Sequence, residues 1–264
     1  MNKIVSSGLP VAIFAAGVLL TTSAAPCQAA MYALYQFEDA SGTVGATIND
    51  GSTFNNDGIV THGNITLGPG RPGGGNAATT TSGSVIRSGL GVASTQADYT
   101  IAFWMRSNGF NTSQRYITAR DVSGNQLSVI YEYVDNQLEL FGASVDVRTG
   151  SAVPIADTNW HHYVYTRTGS ALTKYVDGVA TAYGTNGTAI PSPDALVVGG
   201  IFANNGSNFD GQVDDVAWMN EGVNQAQVNA IRAGDFSQWG GPVPEPSAAM
   251  LSLAGIGMLL RRRR

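Results

Sequence analysis

Between residues 31 and 240 the apolar residues come in short runs broken by Gly, Asn, Asp and Ser. That punctuation predicts many strands and turns. The run at 99–106 alternates most clearly and places Ile101, Phe103 and Met105 on one face. Strands are also predicted at 33–37, 116–121, 127–133, 137–141, 160–168, 172–176, 179–183, 195–202 and 209–218. Asp177-Gly178 is a two-residue hairpin turn, because that pair supplies the positive φ angles a tight hairpin needs. Only 223–233 has helical spacing, through Val223, Val228 and Ile231. About a dozen short strands and one short C-terminal helix predict an all-β fold, a two-sheet antiparallel sandwich or jelly roll.

The two ends follow other patterns. Met1-Asn2-Lys3 begins with a cation, an apolar stretch runs from Gly8 to Leu20, and small residues continue to Ala30. This is the pattern of a secretory signal peptide over 1–30, with signal peptidase cutting after Ala29 or Ala30. A lipoprotein role for Cys27 has against it the lack of a large aliphatic residue in Ala24-Ala25-Pro26. Cys27 is the single cysteine, so cleavage behind it leaves a domain that depends on its core and not on disulfides. The remaining stretch, 31–240, can build one sizeable core.

At the far end, 241–264 contains Val243-Pro244-Glu245-Pro246, an uncharged stretch from Ser247 to Leu260, and four arginines. As a helix that stretch spans about 21 Å, against a hydrocarbon core of about 30 Å. Local thinning and snorkelling arginines would make up the difference, with the arginines on the cytoplasmic side. Four consecutive arginines do not suit the end of a buried helix. The tail resembles the PEP-CTERM sorting signal of Gram-negative bacteria. The resemblance implies transient insertion in the inner membrane and recognition of Pro244, Glu245 and Pro246 by an exosortase. Delivery to the cell envelope, cell surface or extracellular matrix would follow.

Charge narrows the partners. The formal net charge is -5, but Lys3, Glu245 and the four terminal arginines lie outside the central domain. Without them 9 basic and 18 acidic residues remain, a net charge near -9. An acidic domain repels phosphate backbones, which sets nucleic acid aside. Acidity suits calcium, which takes carboxylate and carbonyl oxygens.

Several motifs then fall in order along 32–234. WHHYVYT at 160–166 and KYVDG at 174–178 are similar to the "WHHVAVT … LYVDG" signature of laminin-G-like, concanavalin-A-like domains. FDGQVDDV at 209–216 resembles their closing strand, "FDGxIDEV". Tyr35-Gln36-Phe37-Glu38 with Asn55-Asn56-Asp57-Gly58 resembles their opening "YxFDE … NGNDG". YTIAFW at 99–104 resembles "FTISAWV", and 223–231 resembles the helix that follows the closing strand. The resemblance implies a jelly-roll sandwich and a structural calcium held by Asp214 and Glu38, with Asp57 or the Gly58 carbonyl adding oxygens.

Individual residues bear on chemistry. Asp214 and Asp215 lie between Val213 and Val216, where carboxylates are costly unless metal-bound or hydrogen-bonded to loop amides. His161 and His162 are neighbours in a strand, so their side chains face opposite ways and a structural role beside Trp160 is expected. Gly68 to Gly75 is rich in glycine but lacks the following helix and Lys-Ser/Thr of a phosphate loop, and reads as a surface loop. Tyr131, Tyr133 and Phe202 are candidates either for stacking on sugars or for the core.

Glu132 and Glu139 are the nearest carboxylates to a glycosidase pair, but their spacing matches no such motif, and no Gly-x-Ser-x-Gly context is present. The expectation is therefore a surface binding or adhesion module and not an enzyme. Its partner would be polysaccharide or another extracellular molecule. A structural matrix protein without a discrete ligand is the alternative, and glycan hydrolysis a third.

Overall fold

The structure is a computed structural model that describes residues 30–38, 42–81, 83–91, 95–109, 114–121, 126–133, 137–142, 145–147, 158–185, 193–200 and 208–240. The strands are β1 (Met31–Tyr35), β2 (Thr47–Ile48), β3 (Gly58–His62), β4 (Thr66–Pro69), β5 (Asn76–Thr80), β6 (Val85–Gly89), β7 (Tyr99–Ser107) and β8 (Arg115–Arg120). They continue with β9 (Gln126–Tyr133), β10 (Gln137–Gly142), β11 (Val145–Val147), β12 (His161–Thr168), β13 (Ala171–Val176), β14 (Val179–Thr185), β15 (Ala195–Val198) and β16 (Gly211–Met219). One helix, α1 (Gln225–Arg232), and a 3-10 turn (Ser237–Trp239) follow.

The strands form two antiparallel sheets, as the alternation predicts. The first runs β14-β13-β12-β7-β16-β5-β4, and the second runs β11-β10-β9-β8-β15-β6-β3-β2. β16 is shared: Gly211 to Val213 pair with β5, while its second half pairs with β1. Alternate residues of the first sheet enter the core between the sheets. Ile101, Phe103, Met105, Tyr163, Tyr165, Val213, Val216 and Trp218 belong there, with Ile86, Ile117, Leu196 and Val198 of the second sheet.

The outer face of the first sheet has a second apolar cluster. Ala102, Val164, Tyr175, Ala217 and Met219 lie under Val223, Val228, Ile231, Phe236 and Trp239. Each large side chain buried there contributes about 1.5–3 kcal/mol. Helix α1 starts at Asn224, whose side chain accepts from Ala226 N and Gln227 N, while Gln227 caps Asn224 N in return. Glu221 accepts from the Trp239 indole and so ties the last turn to the end of β16.

The boundaries shift from those predicted. β1 ends at Tyr35, because Phe37 takes a φ of 57° and leaves the extended region. The helix spans eight residues, not eleven, because Asn224 is its cap. Five strands between Thr47 and Gly89 have no counterpart in the sequence prediction. Among the described residues no helix is long and apolar enough to cross a membrane. Residues 1–29 of the expected signal peptide and the Pro244, Glu245 and Pro246 motif lie outside the described residues.

Candidate functional site

The outer face of the first sheet is polar where the helix does not cover it. Outward positions on β7 are Trp104 and Arg106; His162 of β12 is opposite Trp104, and Trp160, just before β12, lies beside Arg106. On β16 the outward neighbours are Asp214, opposite Trp104, and Gln212, opposite Arg106. The β4–β5 loop folds over this patch and inserts Arg71.

A bulge makes this arrangement. Strict alternation would send Asp215 into the apolar core. The register of β16 against β7 shifts between Asp214 and Ala217, and Asp215 has a φ of 46°. Aspartate is among the few residues that tolerate that conformation. The extra residue leaves Asp214 and Asp215 on the outer side, while Val216 and Trp218 still face the core.

Arg71 binds both carboxylates. Its backbone N–H donates to Asp214 Oδ2 at 3.2 Å, and its guanidinium Nε donates to Asp215 Oδ2. Gln36 Nε2 donates to Asp215 Oδ1 at 3.2 Å, and Asp214 Oδ1 accepts from Asp215 N at 2.8 Å. Both aspartates are nearly inaccessible, at 1% and 3% exposure. Burial, then the neighbouring Asp215 charge, pushes the Asp214 carboxyl up to about 7. Asp215 is also raised by burial, against the pull of Arg71. The loop must come close to make these bonds: a Cβ on Gly70 would lie 2.8 Å from Asp214 Oδ2, and one on Gly75 would overlap the Glu38 carboxylate.

Beside Arg71 an open cleft of about 860 Å³ is lined by Arg71, Trp104, Trp160, Asp177, Asn229 and Arg232, with Pro72, Gly73 and Ala233 at its edge. The Arg71 guanidinium lies 5.8 Å from the Trp104 ring centre, and Arg106 lies 5.9 Å from that of Trp160. His162 packs on Trp104 with ring centres 5.1 Å apart. It is buried, and neither of its ring nitrogens has a hydrogen-bond partner. Burial, then the Arg232 charge, pushes its pKa down to about 3, so the ring is neutral. Asp177 closes the far side: Oδ2 meets His161 Nδ1 at 2.7 Å, and Oδ1 accepts from His162 N at 2.9 Å. Asp177 and Gly178 have φ values of 51° and 84°, the expected hairpin turn.

The residues assigned to calcium do not assemble as one set. Asp214 and Glu38 both border the β4–β5 loop, where Glu38 Oε2 accepts from Asn76 N at 3.0 Å. Asp57 lies elsewhere, accepting from Asp50 N, and Gly58 belongs to β3 of the second sheet, beside Ile86, Ile48 and Tyr35. Their inclusion with Asp214 is corrected: nearness in sequence to the opening strand does not bring them to its outer face. Among the described residues no three acidic, histidine or cysteine side chains converge on one point. Arg71 stands between the carboxylates instead, and its N–H groups take the oxygens that face the loop. This arrangement does not fit a calcium ion.

Other candidates separate in the same way. His161 and His162 point to opposite faces, as expected. Glu132 and Glu139 lie on neighbouring strands of the second sheet, where Glu132 pairs with Leu138 and Glu139 with Tyr131. Tyr131 and Tyr133 belong to β9; Phe202 lies outside the described residues. Arg71, Asn229 and Arg232 have no place in the sequence prediction. For Arg71 a signal existed: one charge in a run of Gly and Pro is a reason for a loop to be held down.

Residues 72–229 match the family described as the Concanavalin A-like lectin/glucanases superfamily, in its laminin G form. The match spans more than half of the chain, and the protein belongs to that family. No curated protein matches it. Similar solved structures include domain 4 of AbnA, a GH43 extracellular arabinanase from Geobacillus stearothermophilus, in complex with arabinotriose. The identity is 22% and the TM-score 0.60, covering 77% of this chain and 98% of that domain. Trypanosoma rangeli sialidase, in complex with the inhibitor DANA, matches at 12% identity and a TM-score of 0.54. That match covers 77% of this chain but 33% of the sialidase. The binding domain of Paraclostridial Mosquitocidal Protein 1 matches at 16% identity and a TM-score of 0.52, covering 81% of this chain and 55% of that one.

At these identities the likeness is one of fold. It corrects one expectation nonetheless. The absence of a hydrolase motif led to the expectation that the chain is not an enzyme, yet the sandwich recurs within an arabinanase and a sialidase, which are enzymes. Missing motifs therefore do not exclude catalysis for this fold.

Proposed function

We propose that the protein recognises carbohydrate at the cell surface through the cleft between the β4–β5 loop and α1. The observation that carries this reading is the lining itself: the half-buried Trp160 presents aromatic surface beside the more deeply buried Trp104, ringed by Arg71, Arg232, Asn229 and Asp177. Sugars are bound in this way, with ring faces on aromatic planes and hydroxyls on planar polar side chains. The family and the arabinotriose complex of a similar domain support the same chemistry.

The test is a glycan array probed with the full-length protein in detergent micelles, followed by titration of the strongest hit. Trp160→Ala should weaken binding about tenfold or more while leaving the melting temperature nearly unchanged, since Trp160 is only half-buried. No binding to any glycan would end this reading and leave a structural matrix component. Reducing-sugar release from the same hits would show whether recognition is coupled to turnover.

Export through the 1–30 leader, and sorting through Pro244, Glu245 and Pro246, belong to the same proposal. The mass of the C-terminus in cells tests it. Loss of the four arginines supports sorting by an exosortase, while an intact tail leaves a plain membrane anchor.

A further inference from the structure

Resting on that reading, we propose that the cleft takes an anionic glycan, a chain bearing uronic-acid carboxylates, with Arg232 and Arg106 as the carboxylate-binding groups. The charges around the cleft divide into those already used and those left over. Arg71 is committed to Asp215. Asp177 has one oxygen on His161 and the other on the His162 N–H. Among the described residues neither Arg232 nor Arg106 forms an ion pair.

Both are placed for a ligand. Arg232 is exposed in the last turn of α1 and leans toward the β13–β14 turn, where a Cβ on Gly178 would be 3.5 Å from its Nη1. Arg106 is half-buried and lies over the Trp160 ring, 5.9 Å from its centre. Arg232 thus lines the cleft itself, and Arg106 adjoins it through its contact with Trp160. Guanidinium forks match carboxylates two bonds at a time, which they cannot do with a neutral hydroxyl.

The surroundings favour an anion too. The protein is acidic overall, with a formal charge of -5, yet Arg232 in this wall and Arg106 beside it form no ion pair among the described residues. Positive charge concentrated in a concave surface draws anions to it. Beneath it His162 is uncharged, so the floor adds no second cation to be neutralised. A neutral glycan would give these guanidinium groups only single hydroxyl contacts in place of a two-bond match.

The test is calorimetric titration of the full-length protein in micelles with three probes: trigalacturonate, its methyl ester, and a sulfated neutral trisaccharide. The acid should bind at least about tenfold more tightly than the ester at low salt, and the gap should narrow as salt screens it. Arg232→Gln should close most of that gap, with a clearly smaller loss for the ester than for the acid, and Arg232→Lys should restore part of it. Equal binding of acid and ester, with Arg232→Gln silent, would overturn the anion preference and leave glycan recognition standing. Tighter binding of the sulfated sugar would overturn the carboxylate assignment. If none of the probes and no arrayed glycan binds, the reading beneath this proposal fails with it.

Discussion

The outer face of the first sheet is covered in two different ways. One half is apolar: Ala102, Val164, Ala217 and Met219 lie under Val228, Ile231, Phe236 and Trp239 of the C-terminal segment. The other half, on the same strands, is polar: Trp104, His162 and Asp214 lie under a glycine-rich loop through Arg71. The first cover is additive and non-directional, since any side chain of the right size excludes water. The second depends on a few oriented bonds, and removing one partner leaves a buried charge exposed to its full desolvation cost. A closed apolar half provides rigidity, and the adjoining polar half stays open enough to form a cleft.

The polar half should be the easier to break. Arg71→Met leaves Asp214 and Asp215 without their cation and should cost about 3–5 kcal/mol in urea denaturation. A loss below about 1 kcal/mol would mean that the guanidinium is not what holds this half. Ile231→Ala, in the apolar half, should cost about 3 kcal/mol through lost burial and a residual cavity. A loss typical of surface positions would show that α1 lies loosely on the sheet.

Acid separates the halves further, because Asp214 and His162, whose carboxyl and imidazole are shifted by burial, both lie in the polar one. Asp214 has its pKa raised from 3.8 to about 7, so the folded state keeps a proton the unfolded chain releases. Its contribution is present below about pH 4 and is lost as pH rises through 7. His162 runs the other way: its pKa falls from 6.5 to about 3, so stability is present above 6.5 and lost as pH falls toward 3. The two slopes oppose each other between about pH 4 and 6.5 in the native protein. Asp214→Asn removes one of them. Melting temperatures of that variant should climb with pH across this window more steeply than those of the unaltered protein. Parallel curves would show that Asp214 is ionised throughout. The smallest effect belongs to the helix start, where Asn224→Ala should cost about 1 kcal/mol by removing the cap, read as a shift in the same denaturation midpoint.

The contrast also explains what the sequence disclosed. Strands with buried large residues, such as Tyr99–Ser107 and His161–Thr168, were legible because their alternation reports a packed face. Asn76–Thr80 was not: Ala77 and Ala78 are fully buried, but a run of Asn, Ala and Thr carries weak strand preference without its neighbours. At the site, Asp214 and Asp215 were legible as carboxylates that need compensation. Their partner was not, because Arg71 is over 140 residues away in a stretch that reads as open loop. Arg232 and Asn229 read as ordinary helix surface, and only the packing of α1 beside Trp104 gives them a role.

The bulge at Asp215 fixes a counting rule for the chain. In a strand, position parity decides whether a side chain faces the core or the outside, and the bulge resets that parity once. If all the residues of β16 were kept but the bulge were straightened into regular strand, Val216 and Trp218 would exchange faces with Ala217 and Met219. The Trp218 indole would be driven under α1, while an alanine replaced it between the sheets. The bulge can therefore be lost without disturbing the core only together with one residue, and alignments of its relatives should be anchored at this extra residue.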